Sequence, residues 1–186
     1  MIKNAFMKNG RSALLFAIGF GCFILSFLTS FIYYVASLSI SLVDFSIITT
    51  TMGFCCALLF FNVNEENKLL IPACFGLLAF FAFFATISSI INLSAHILPT
   101  AAGVLDLIAT LTLLVNSIFV VAFNYCGNKT LIKASALLAL LIALLSFISY
   151  IILLASAFSI ATLFTMFFEL GLVLCLFFGN YFFYKN

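Results

Sequence analysis

The stretch SIATLFTMFFELGLVLCLFFGNYFF, residues 159–183, holds a single charged residue, Glu169. A helix rises 1.5 Å per residue and a bilayer core is about 30 Å thick, so about 20 apolar residues make one crossing. The stretch has that length. Between Leu131 and Phe183 the only charges are Lys133 and Glu169. One helix of about 50 residues does not fit in a membrane, so a break is expected near Ala157–Ser159.

Working outward, apolar runs at 12–36, 45–63, 69–93, 103–126 and 132–156 bring the set to six. The separators differ in chemistry. Ser37–Asp44 is small and polar, Asn64–Lys68 is charged, Ser94–Thr100 contains Pro99, and Gly127–Thr130 is a turn cluster. The expectation is an all-α integral membrane protein, 1–186 as one polytopic domain of six transmembrane helices.

Composition agrees. Of 186 residues, 67% are hydrophobic and 6% charged, against roughly 25% charged in soluble domains. Mean hydropathy is +1.40. A water-soluble domain is excluded, and no length remains for a soluble catalytic unit beside six spans. The net charge of +2 is spread over scattered residues, which argues against a nucleic-acid partner. All six cysteines fall in or at the ends of apolar runs, where they read as small apolar side chains and not as a disulfide framework. There are 26 Phe and no Trp, leaving tyrosines as interfacial anchors. Tyr33, Tyr34, Tyr125, Tyr181 and Tyr184 fall near predicted helix ends. Tyr150 does not.

An even number of spans puts both termini on one side. Lys3, Lys8, Arg11, Lys68, Lys129, Lys133 and Lys185 all fall at the termini or in the second and fourth connections. By the positive-inside rule that side is cytoplasmic, with the cell (inner) membrane as the expected location and the lipid bilayer as the first partner. The run Leu14–Ala36 exceeds the core of a signal peptide and reads as a retained first helix.

Cutting the chain at Lys68 and Lys129 gives three helical hairpins, 8–67, 68–128 and 129–186. Their first helices share mid-membrane serines at Ser26, Ser88 with Ser89, and Ser146, and their second helices end at Asn62, Asn124 and Asn180. Duplication is one explanation. Chance similarity among few residue types is the other.

Helical residues at i+4, i+7, i+11 and i+18 return to one face. Asp106, Thr110, Ser117 and Asn124 make such a stripe, as do Asp44, Thr51, Cys55 and Asn62. Counting back 18 from Asn180 reaches Thr162, and seven further on stands Glu169. An ionisable group this far from a helix end is a functional-site candidate. No basic residue is placed near it. It is then protonated, paired with a cation or another chain, or hydrogen-bonded to neighbouring hydroxyls, which read as proton coupling, ion or solute binding, or subunit docking; a neutral acid bonded to a serine or threonine is the purely structural alternative. Asp44 and Asp106 are expected near the outer helix ends, either as an acidic mouth favouring cations or as helix-start carboxylates beside a positive helix terminus.

Ala13, Ala17 and Gly21 put small residues four apart, a pattern that lets helices approach closely, and Asn116 is expected to hydrogen-bond between helices. With one histidine and no Cys/His cluster, phosphate loop or nucleophile with its base, neither enzyme activity nor a metal or cofactor is expected.

In size, cytoplasmic termini and the Ala13-x-x-x-Ala17 pair, the chain resembles the substrate-binding S components of energy-coupling-factor vitamin transporters, though no matching ligand pocket is apparent in its sequence. In its threefold hairpin plan it resembles the HdeD-type acid-resistance membrane proteins, without their Gly- and Pro-rich turns. Two functions follow as expectations. One is a transport component, with a solute or cation/proton path or pocket between helices around Glu169. The other is a non-catalytic subunit or scaffold that binds partner membrane subunits or forms a homo-oligomer.

Overall fold

A computed structural model describes residues 10–36, 70–94, 96 and 98–185. The described residues form five helices: α1 (Gly10–Ala36), α2 (Leu70–Ser94), α3 (Thr100–Cys126), α4 (Lys129–Ser156) and α5 (Ile160–Lys185). Each matches an expected span to within three residues at either end. The span expected at 45–63, with Asp44 and Thr51, lies outside the described residues. Four helices are long and apolar enough to cross a membrane, within α2, α3, α4 and α5, and α1 contributes the apolar segment Leu14–Ser26.

The connections that follow α2, α3 and α4 are short. Gly127, at φ 68°, closes α3 in the left-handed conformation and donates its N–H to the Phe123 carbonyl at 2.7 Å. Asn128 then caps α4 by accepting from the Thr130 N–H at 3.0 Å. Two residues thus reverse the chain. The expected break at Ala157–Ser159 is present: Ala157 leaves helical geometry, and α5 begins at Ile160. Between α2 and α3, His96 takes a positive φ of 53° and donates to the Leu93 carbonyl.

In the bundle α2 packs on α3, α3 on α4, α4 on α5, and α5 on α1. Aromatic rings join α1 to α2, with Phe75 edge-on to both Phe16 and Phe20, and Phe23 edge-on to Phe81. This arrangement gives no support to three equivalent hairpins. Among the described helices the most extensive packing, α1 on α5, joins the first expected hairpin to the third.

The α1–α5 contact runs through glycines. A Cβ on Gly19 would sit 2.9 Å from the Cβ of Cys175 and 3.3 Å from the Leu172 carbonyl oxygen. Gly171 faces Cys22, and Gly179 faces the Phe16 ring. Between the Ser26–Glu169 and Phe16–Gly179 contacts, α1 falls ten residues while α5 rises ten, as two antiparallel helices without slip must. The expected packing stripe is corrected here. Ala17 is buried, but a Cβ on Gly21 would meet nothing within 4 Å, so Gly19 makes the close approach instead. Ala13 lies in α1, its side chain outside the described part.

Phe16, Phe20, Phe75, Leu78, Val120 and Leu176 form the centre of the core. Beside it, Asn180 donates its amide to the Ser135 hydroxyl at 2.8 Å, and that hydroxyl donates to the Asn116 carbonyl, joining α3, α4 and α5. Asn116 therefore has the interhelical role its sequence suggests. The outer faces carry large apolar side chains, among them Phe83, Ile91, Leu137 and Phe167, as lipid contact requires.

The glycine geometry predicts that Gly19→Ala lowers stability by about 1–3 kcal/mol, whereas Gly21→Ala leaves it unchanged. Unfolding of both variants in mixed micelles checks the contrast.

Candidate functional site

Glu169 stands nine residues past Ile160, about 13 Å along α5 at the helical rise. It faces a cavity of about 950 Å³ whose described lining comes from all five helices. The cavity occupies the half of the bundle nearer the α2–α3 and α4–α5 turns. Its floor toward the chain termini is apolar, formed by Leu113, Ile142, Leu172 and Val173. Those positions place it above the Asn116–Ser135–Asn180 layer.

Three helices converge on the Glu169 carboxyl. Ser26 in α1 donates its hydroxyl to Oε1 at 3.3 Å, and the Tyr150 side chain in α4 hydrogen-bonds the same carboxyl. The residue remains only half-buried because it borders the cavity. Asp106 lines the same space and lies within Coulombic range of Glu169. Its Oδ2 lies 2.6 Å from the Ser89 hydroxyl, which is also 3.0 Å from the Ala85 carbonyl of its own helix.

The position of Asp106 corrects the expectation of a helix-end carboxylate. Helix α3 begins at Thr100, before the expected start, so its first turn holds no acid. Asp106 lies six residues inside, about 9 Å along the helix. It faces the cavity wall and not the helix mouth.

The other expected site residues divide. Thr110 lines the cavity, with its hydroxyl bonded to the Leu107 carbonyl. Ser117 is buried below the floor and donates to the Leu113 carbonyl of its own helix, so it does not reach the cavity. Thr162 lies in the first turn of α5 and is not among the lining residues. Of the serine pattern, Ser88, Ser89 and Ser146 line the cavity, and Ser26 reaches it through Glu169.

Two components were not expected as site residues. Tyr150 is the one tyrosine away from a predicted helix end, and that anomaly was the available signal. The aromatic wall of Phe23, Phe80, Phe81 and Phe84 could not be singled out among 26 phenylalanines.

Comparison of the chain with protein-family models, curated proteins and solved structures gives no match.

Loss of the short interhelical bond in Ser89→Ala is expected to lower stability by about 0.5–2 kcal/mol. Ser88→Ala, next to it and exposed to the cavity, should change stability by less than about 0.5 kcal/mol. Paired unfolding curves in one detergent decide between these outcomes.

Proposed function

We propose that this protein is a transport component of the cell membrane, with a cation or proton pathway, or a solute pocket, at the Glu169–Asp106 cavity. One observation carries the reading: two carboxyls from different helices face one intramembrane cavity, and none of its described lining residues is basic. Intramembrane acids that face a cavity mark ion, proton or substrate routes. In the full reading the chain crosses six times with both termini cytoplasmic, as its lysine distribution argues. The cavity then faces away from the cytoplasm, above an apolar floor.

The Ser26 and Tyr150 bonds fix the place of the carboxyl, as a purely structural role would also have it, and the cavity on its open side is what favours a working group. A cation between Glu169 and Asp106 would relieve the repulsion between two negative groups. A proton would do so equally.

The purified full chain, reconstituted in liposomes, is expected to carry a proton, sodium or potassium flux that falls at least about tenfold in both Glu169→Gln and Glu169→Ala. Unchanged flux in both variants overturns the role of Glu169. No flux from the wild-type chain alone, with a stoichiometric membrane partner retained through gentle extraction, replaces transport with the subunit reading.

A further inference from the structure

The cavity has a second chemical face that neither protons nor metal ions require. Phe23 and Phe81 from α1 and α2 line one side, with Phe80 and Phe84 largely exposed at its rim, while the Asp106 and Glu169 carboxyls and Tyr150 come from α3, α5 and α4. We infer that this cavity binds an organic cation with an aromatic or similarly bulky apolar body. Its charge would lie toward Glu169 and Asp106 and its rings against the phenylalanines. The inference rests on the transport reading of the same cavity and names its substrate class.

Three physical arguments favour this occupant over an inorganic ion. The first is volume. About 950 Å³ falls in the range of small-molecule sites, whereas a bare metal ion needs a tight shell of oxygens at bonding distance. The second is the wall. Phenylalanine rings cannot replace the water of a small hard cation, but their negative faces attract a diffuse organic cation and their bodies bury its apolar surface. The third is charge. Two acids and no described basic residue disfavour an anion and favour an occupant that brings a positive charge. The buried Phe23 packs edge-on against the half-buried Phe81, at 4.9 Å between centroids, which holds part of this wall in place without a ligand.

The test is equilibrium dialysis of radiolabelled tetraphenylphosphonium against the full chain in detergent. Saturable binding of one molecule per chain is expected. Tetramethylammonium, with the charge but no rings, should compete at least about tenfold more weakly. Triphenylphosphine oxide, with rings but no net charge, should also compete at least about tenfold more weakly. Glu169→Gln is expected to weaken binding at least about tenfold, and Phe81→Leu about 3- to 30-fold, each judged on protein that elutes as the wild type does. Should Glu169→Gln fail to fold, Phe81→Leu and the two competitors still decide.

Equal competition by triphenylphosphine oxide, or wild-type affinity in the folded Glu169→Gln variant, overturns the inference. Absence of tetraphenylphosphonium binding beside an intact Glu169-dependent ion flux overturns the substrate class and leaves transport standing. Binding without any flux does the reverse.

Discussion

A carboxyl in the middle of an apolar helix must be solvated by its own protein, and the packing around Glu169 follows from that requirement. Lipid offers no hydrogen bonds, so a side chain in this position has to find donors on neighbouring helices. Ser26 and Tyr150 supply them from α1 and α4, the two helices that pack on α5. The polar contact thus lies where three helices meet, and its geometry depends on their register.

That register is set by small residues. Gly19, Gly171 and Gly179 let α1 and α5 approach until side chains of one meet the backbone of the other. In a membrane, where lipid tails are as apolar as leucine, such close packing replaces the hydrophobic drive that joins helices in water. The antiparallel match from Phe16–Gly179 to Ser26–Glu169 shows the consequence. A slip of one residue would turn the Ser26 hydroxyl about 100° around the helix and away from the carboxyl.

Much of this architecture is legible in the sequence because a bilayer imposes a length on every span. The break at Ala157–Ser159 follows from that length alone, although no charge marks it, and α5 begins at Ile160. Glu169 is legible because a lone acid in an apolar run is costly. The partner of Asp106 is less so. Ser89 is visible as a mid-membrane serine, but its pairing depends on how α2 and α3 are aligned across the His96 turn. The close-packing stripe misleads for a related reason. Spacing of four identifies a small-residue face, yet the face that meets α5 includes Gly19 and Cys22, at spacings the pattern does not capture. The aromatic wall is illegible since 26 phenylalanines serve both lipid contact and cavity lining, and composition does not separate the two uses.

The described part of the bundle holds two polar layers of different chemistry. Amides and hydroxyls are both donors and acceptors, so Asn180, Ser135 and Asn116 chain together across three helices, leaving the Asn116 amide nitrogen and the Asn180 carbonyl oxygen buried without a partner among the described residues. Ionised carboxylates only accept, and two of them repel. Asp106 and Glu169 each take a hydroxyl from a different helix, and a space remains between them. Leu113, Ile142, Leu172 and Val173 separate the layers. An apolar floor of this kind keeps an occupant of the cavity from reaching the amide layer, so passage through the bundle requires that floor to part.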